Sequence, residues 1–238
     1  MAVTGFFHHI GTFFLLAATV LLLITTISAP VVNDIALLKV TLGNATSSHN
    51  SEVSFGTFGY CVLNTAYVNG GDSCTHSHLG YNPADVMANI EGTSFGDGTT
   101  DSLKILTRTM VLHPISTGIA FIAFLLALGA GFIGSFLAAI VAVLAFLTTI
   151  VAMIIDFVMF GVLKSHINDS SDDSSGSHAK YSVAIWTILA AAICLLIGSV
   201  IVFFTCCSAR LHKKRARNSA TVKNDYGTAT TTRRRRWF

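Results

Sequence analysis

Because of its position, the side chain of Asp156 is the one in this sequence that could do the most unusual chemistry. It is the only formally charged side chain between Val111 and Leu163, in a segment that is otherwise mostly apolar. An acid in such a segment is costly and is usually paired or functional. We expect an ion pair or hydrogen bond between Asp156 and either His113 or Arg108. A protonation switch is the functional alternative.

Two cysteines in the polar segment 30–108 predict a covalent cross-link. Cys61 and Cys74 are the only cysteines of that segment, so in an oxidising compartment they pair without a competitor. Such a bridge stabilises a small fold by about 3 kcal/mol. The alternative is a zinc site with His76 and His78 in CTHSH, but the cysteine spacing and the oxidising compartment both argue against it.

The other three cysteines lie in or just after the last apolar segment. Cys206 and Cys207 stand where that segment meets a basic tail, which makes them palmitoylation candidates; two unmodified thiols are the alternative. Cys194 shares a helix face with Ala190 and Gly198, and small residues at this spacing let helices approach closely. We expect this face to pack within the molecule, with a homo-oligomer interface as the other interpretation.

Sequence patterns of known catalytic sites are missing from the chain. It has no Gly-rich phosphate loop, no HExxH, no GxSxG and no pair of carboxylates within an apolar segment. We therefore predict no catalytic residue, no metal site and no cofactor. A channel or transporter is disfavoured because the apolar segments carry one acid and no interrupted pair of helices.

Composition identifies the membrane as the solvent of this chain. Of its 238 residues 52% are hydrophobic and 11% are charged, and the mean hydropathy is +0.65. As a single helix, the segment from Val111 to Leu163 would be about 80 Å long, more than twice a hydrocarbon core of about 30 Å. The chain must therefore turn there, and the glycines of LGAGFIGS (128–135) mark the place.

Four transmembrane helices are predicted, which makes the fold class an all-α four-helix transmembrane bundle. They cover Phe6–Ile27, Met110–Leu128, Phe136–Val162 and Val183–Phe204. A cleaved signal peptide is the alternative for the first. Residues 1–9 lack Lys and Arg and Pro30 would follow the cleavage position, which both favour an uncleaved helix.

The polar segment 30–108 predicts a small β-subdomain followed by helices. Residues 35–42 and 52–63 are rich in β-branched and aromatic residues and predict two or more short strands. A helix begins near Asn82, Pro83 and Asp85, and another is capped by Asp101 or Ser102. The predicted divisions of the chain are 1–29, 30–108, 109–163, 164–182, 183–205 and 206–238.

The basic tail sets the orientation. Ten basic residues and one acid follow position 209, so the positive-inside rule places both termini in the cytoplasm and both polar loops outside. We expect the tail to contact anionic inner-leaflet lipids and no nucleic acid. Its lipid-binding candidates are Lys213, Lys214, Arg215, Arg217, Arg233, Arg234, Arg235 and Arg236.

The two glycosylation sequons agree with this orientation. The sequons at Asn44 and Asn168 both fall in outer loops, and Asn44 is the better acceptor because Asn168 is close to the third helix. Six histidines lie on or near the outer face, where imidazoles titrating near neutrality could report external pH. They are His49, His76, His78, His113, His166 and His178.

Several separated motifs, in order, resemble the PalI family of fungal membrane proteins. They are HHIGTFFLLAATVLLLITTISAPVV (8–32), FGTFGYC (55–61), SHLGY (77–81), LTRTMVLHPI (106–115) and FFTCCSARLH (203–212). This resemblance implies a claudin-like fold with a disulfide-closed extracellular sheet in the first loop. It implies an outer-loop signature of Gly56, Gly59, Tyr60, Cys61 and Cys74, with Arg108 before the second helix.

The resemblance also implies two kinds of function, both at the plasma membrane and neither enzymatic. The first is an accessory role in sensing ambient alkaline pH, in which the chain assists a larger membrane receptor. The second, suggested by eisosome-associated relatives, is the organisation of plasma-membrane domains and the adjoining cell wall. We expect the first, with the second as the alternative.

Overall fold

The computed structural model describes residues 2–43, 51–63, 72–91, 95–129, 132–170 and 176–225. In chain order the elements are α1 (Ala2–Thr26), β1 (Leu38–Thr41), β2 (Glu52–Phe55), β3 (Tyr60–Leu63), β4 (Ser73–Cys74), α2 (Pro83–Glu91), α3 (Asp97–Arg108), α4 (Leu112–Leu128), α5 (Phe132–Ser170), β5 (His178–Tyr181) and α6 (Val183–Asp225). A 3₁₀ turn, Thr109–Val111, joins α3 to α4.

Within the described residues, four helical segments are long and apolar enough to cross a membrane, as predicted. They are His8–Thr26, Gly98–Leu128, Gly134–Asp169 and Val183–Ser208. Two helices extend well beyond the C-terminal ends of their predicted spans. α5 continues to Ser170, through the start of the predicted second loop, and α6 continues to Asp225, into the predicted tail.

The reversal between α4 and α5 lies at the predicted glycines. Gly129 ends α4 in an extended conformation, with φ −61° and ψ 112°, and α5 begins at Phe132. Gly131 lies outside the described residues. The two helices therefore run antiparallel as a hairpin.

Small residues line the contacts between the helices. A Cβ atom added to Gly198 of α6 would lie 3.1 Å from Leu15 Cδ2 and 3.3 Å from the Gly11 carbonyl oxygen, both on α1. Gly198, and with it the face it shares with Cys194, therefore packs inside the molecule. The core between α4 and α5 contains buried alanines: Ala120, Ala123 and Ala127 on α4, and Ala138, Ala142 and Ala145 on α5.

The described part of the chain forms a sheet of five antiparallel strands in the order β4-β3-β2-β1-β5. β1, β2 and β3 lie inside the segments predicted to form strands. β5 comes from the loop between α5 and α6, for which no strand was predicted, so the sheet is built from two loops.

One face of the sheet packs on the bundle. Alternate residues of β1 and β5, such as Leu38, Val40 and Ala179, are buried on this face and share a core with Met110 and Phe160 of the helices. We call this end of the bundle, where α1 ends and α4 begins, the sheet end.

The helices before the second span differ in one boundary from the prediction. Asn82 caps α2, since its Oδ1 accepts a hydrogen bond from Ala84 N at 3.2 Å. The predicted caps of α3, Asp101 and Ser102, are wrong, because α3 begins at Asp97 with Gly96 as its N-cap. Ser102 Oγ instead donates to Gly98 O, four residues back within the helix.

Candidate functional site

A buried pair of titratable side chains lies at the sheet end. His113, in the first turn of α4, places Nε2 3.2 Å from both Oδ1 and Oδ2 of Asp156 on α5. Each side chain is 1% exposed. Of the two partners considered for Asp156, the structure therefore brings His113 to it and not Arg108.

Two buried atoms of this pair make no hydrogen bond to the described residues. When Asp156 is ionised, its carboxylate only accepts, so Nε2 of His113 then carries the proton of this hydrogen bond. The other ring nitrogen, Nδ1, is buried without a hydrogen-bond partner among the described residues, and so is Asp156 Oδ2. Incomplete satisfaction of a buried ionic pair makes its stability sensitive to the charge of either partner.

Tyr81 connects the end of α3 to the sheet. Its buried phenol donates to the Gly56 carbonyl oxygen at 2.8 Å, and Thr107 Oγ1 donates to the Tyr81 carbonyl oxygen at 2.7 Å. Burial first, and then the negative charge of Asp156, raise the pKa of the Tyr81 phenol. The phenol therefore stays neutral and keeps donating to the turn between β2 and β3.

Aromatic rings surround Tyr81 on the sheet side. Phe55 is nearly parallel to it, with centroids 6.4 Å apart and an interplanar angle of 6°, and Tyr60 lies 6.2 Å away. His78 meets it edge-on at 6.3 Å. Tyr81 is therefore held in place by rings, as well as by its two hydrogen bonds.

Three glycines, Gly56 and Gly59 of the signature and Gly80 before Tyr81, lie where other atoms come too close for a side chain. A Cβ atom on Gly56 would overlap the backbone of Ala29, and one on Gly59 would meet Thr75 Oγ1 at 2.5 Å. Gly80 has φ +78°, and the side chain of Arg108 lies over it, since an added Cβ would be 2.7 Å from Arg108 Cγ. Larger residues at these positions would push the sheet, the end of α1 and Arg108 apart.

A set of hydroxyl groups ties the end of α1 to its neighbours. Thr26 Oγ1 is 3.1 Å from Thr117 Oγ1 on α4, and Thr25 Oγ1 is 3.0 Å from Thr187 Oγ1 on α6. Thr57, in the turn between β2 and β3, donates its hydroxyl to the Thr25 carbonyl oxygen at 2.9 Å. These bonds, with the buried pair and Tyr81, form what we call the junction between sheet and bundle.

The disulfide closes the far side of the sheet. Cys61 on β3 and Cys74 on the edge strand β4 are paired and bonded, as predicted. Asn33 Oδ1 lies 3.3 Å from both sulfur atoms. The bond removes both thiolates from the alternative zinc site, and the described residues hold no cluster of metal-ligating side chains.

The histidines, which the sequence did not separate, fall into different environments. His76, His78 and His178 are exposed, and His166 is half-buried with its ring stacked on Phe95 at 4.3 Å. His49 lies outside the described residues. Among the described histidines that were predicted to lie near the outer face, only His113 is buried against a carboxylate.

Other predicted sites are placed only in part. Cys206 is buried and Cys207 is half-buried on α6. Lys213, Lys214, Arg215 and Arg217 belong to α6, of which only the backbone is described there. Asn44 and the run Arg233, Arg234, Arg235 and Arg236 lie outside the described residues.

The side-chain amide of Asn168 is hydrogen-bonded to the backbone of β5. Its Oδ1 accepts a hydrogen bond from Ala179 N at 2.8 Å, and its Nδ2 donates to Ala179 O at 3.3 Å. The side chain thus covers the outer edge of β5. The alternation in the short segment HAKY (178–181) is the only sequence signal that could have indicated this edge.

Comparison with known proteins identifies relatives. The profile of the SUR7/PalI family matches residues 7–198. The pH-response regulator protein palI/RIM9 of Emericella nidulans is 32% identical over 119 residues, which is 50% of this chain and 18% of that protein. The protein of the same name from Pyricularia oryzae is 26% identical over 153 residues, 61% of this chain and 19% of its own length. The chain thus aligns with about a fifth of each of these curated relatives.

Proposed function

The chain belongs to the SUR7/PalI family, and we propose that it is an accessory membrane protein of the response to ambient alkaline pH that assists a larger membrane receptor. The observation that carries this proposal is that both relatives reported above are named pH-response regulators. Each aligns with the chain over about a fifth of its own length. The accessory role is therefore a proposal for this chain.

The site supports binding more readily than catalysis. The chain folds a disulfide-closed sheet onto one end of a membrane bundle and places its buried titratable pair at the contact. A surface of this kind can hold a partner or change shape with protonation. We propose that the sheet is the surface that meets the receptor.

The chemistry of the two ends supports one orientation. A disulfide persists in an oxidising compartment, which suits a sheet outside the cell. Basic residues concentrated after the last span suit the cytoplasm and its anionic lipids. We propose a plasma-membrane protein with both termini cytoplasmic and its tail at the inner leaflet.

Deletion of the gene tests the proposal. A strain without the chain should grow normally in acidic medium, fail in alkaline medium and lack the transcriptional response to alkaline pH. The tagged chain should co-purify with a larger membrane receptor, whose abundance at the plasma membrane should fall in the deletion strain.

The opposite pattern would favour the second function. A normal alkaline response, together with altered tolerance to wall or membrane stress and a tagged chain in static patches, would reject the accessory role. It would support an organiser of plasma-membrane domains.

A further inference from the structure

The starting observation is that His113 and Asp156 are both almost completely removed from water. Each is 1% exposed, and His113 Nε2 lies 3.2 Å from the carboxylate. A buried carboxylate is tolerated when an opposite charge and hydrogen bonds compensate it, and removal of the compensating charge is strongly unfavourable. The charge of His113 therefore matters for this contact more than the charge of an exposed histidine would.

Three titratable or charged side chains on the neighbouring elements make contacts of their own. The loop before α2 contributes Tyr81, whose phenol stays neutral because burial and the charge of Asp156 raise its pKa. At the end of α3 the side chain of Arg108 lies over Gly80 and is exposed. On α5 itself, Lys164 is directed to the Tyr181 ring, with Nζ 4.8 Å from its centroid. His113 is therefore the group at this site that can gain a positive charge by binding a second ring proton.

We propose that the His113–Asp156 pair is a proton-binding site that couples pH to the docking of the sheet on the bundle. With a proton on each ring nitrogen, His113 is a cation and compensates Asp156. When the pH rises, one proton passes from the ring to solvent and the carboxylate is left buried without a counter-charge. The stabilisation is thus present in acid and is lost in alkali. The biological use of this change rests on the proposed function; the change itself does not.

We expect the charge of Asp156 to act on the sheet through Tyr81. Its phenol feels the charge of Asp156 and holds the Gly56 carbonyl oxygen, while Thr107 holds its backbone. Water that enters to hydrate an uncompensated Asp156 competes with these contacts. We therefore expect the turn between β2 and β3, and the start of α2, to loosen first.

Hydrogen exchange of the full chain in lipid nanodiscs tests this. Exchange is followed by mass spectrometry between pH 5.5 and 8.5 and corrected for the intrinsic pH dependence of amide exchange. Peptides covering 52–63 and 79–91 should exchange about tenfold or more faster at the alkaline end. Peptides covering 186–200 of α6 should keep their corrected rates.

Two variants identify the group responsible. Asp156→Asn removes the charge that needs compensation, so its junction peptides should show no pH dependence. His166→Gln is the matched control, since it removes a half-buried histidine from α5 that stacks on Phe95, and it should respond like the wild type. Equal pH dependence in Asp156→Asn and the wild type would overturn the proposal.

If Asp156→Asn does not fold, exchange in the wild type and in His166→Gln still tests the proposal. Corrected exchange that is constant with pH in the wild-type junction overturns the proposal, whereas a change confined to the junction and retained in His166→Gln supports it. These outcomes are separate from the proposed function. A deletion strain with a normal alkaline response would reject that function and leave a pH-dependent junction standing.

Discussion

The bundle and its junction with the sheet are held together by different interactions. Between α1 and α6 the contact is made by Gly11, Leu15 and Gly198, and between α4 and α5 it is made largely by alanines. At the junction, His113, Asp156 and Tyr81 contribute hydrogen bonds between buried polar groups.

This difference separates two kinds of sensitivity. Close packing of small residues depends on volume and is unaffected by pH, because alanine and glycine side chains do not titrate. The junction depends on charge and on hydrogen-bond partners, which pH and small polar changes alter. A membrane protein can in this way keep a constant scaffold while one contact responds to its surroundings.

The largest effect should come from adding a side chain where the sheet meets the segment after α1. Gly56→Ala places a methyl group onto the backbone of Ala29, and we expect it to destabilise the fold by more than about 3 kcal/mol. Gly96→Ala is the control, because its added Cβ meets nothing within 4 Å. Thermal unfolding in detergent measures both. Equal stability of the two variants would show that the close approach is unimportant.

Loss of the disulfide should rank next. Cys61→Ser and Cys74→Ser each open the link between β3 and β4, which costs about 3 kcal/mol through the entropy of the unfolded loop, and should lower the amount of protein at the cell surface. Cys194→Ser, on α6 and away from the sheet, should have little effect. Wild-type surface abundance in both sheet variants would argue against a structural disulfide.

A change of volume should affect the bundle and leave the pH response alone. Gly198→Leu forces α6 away from Leu15 and the Gly11 carbonyl oxygen, at a cost of about 2 kcal/mol. Gly118→Leu adds the same side chain where nothing lies within 4 Å, so it should be tolerated. If Gly198→Leu abolished the pH dependence of the junction peptides, the two regions would not be separable.

The smallest effect should come from removing one hydroxyl at the junction. Tyr81→Phe leaves the buried Gly56 carbonyl oxygen without its donor and should cost about 1 kcal/mol, whereas Tyr60→Phe, on a half-buried neighbour, should cost less. Because the fold raises the phenol pKa of Tyr81 above its ordinary 10.0, the unfolded chain releases a proton that the folded chain keeps. Wild-type stability should therefore fall above pH 10, and this fall should be smaller in Tyr81→Phe. Unfolding between pH 9 and 11 measures it.

The bundle was predictable from the sequence, and the junction was predictable only in part. Long apolar runs and the glycines around Gly129 dictate helices and a reversal, because lipid leaves the backbone no other partner. The contact between His113 and Asp156 followed from their similar depth. The choice between His113 and Arg108 did not, because it depends on Gly80 taking the Arg108 side chain.

The missing parts depend on contacts between distant segments. β5 is a strand because it pairs with β1, and Asn168 covers its edge, more than 100 residues after β1 in the chain. Tyr81 was visible only as the last residue of SHLGY, and its importance comes from Gly56 and Asp156. The start of α3 at Asp97 has no strong signal, since Gly96 caps it without a side chain.

The most direct test of the account compares variants in cells that lack the chain. Wild type, Asp156→Asn and His166→Gln are expressed at equal abundance at the plasma membrane, and growth in alkaline medium is measured. We predict that the wild type and His166→Gln restore growth and that Asp156→Asn does not, because its junction no longer changes with pH. Full restoration by Asp156→Asn would contradict the claim that this pair carries the pH response.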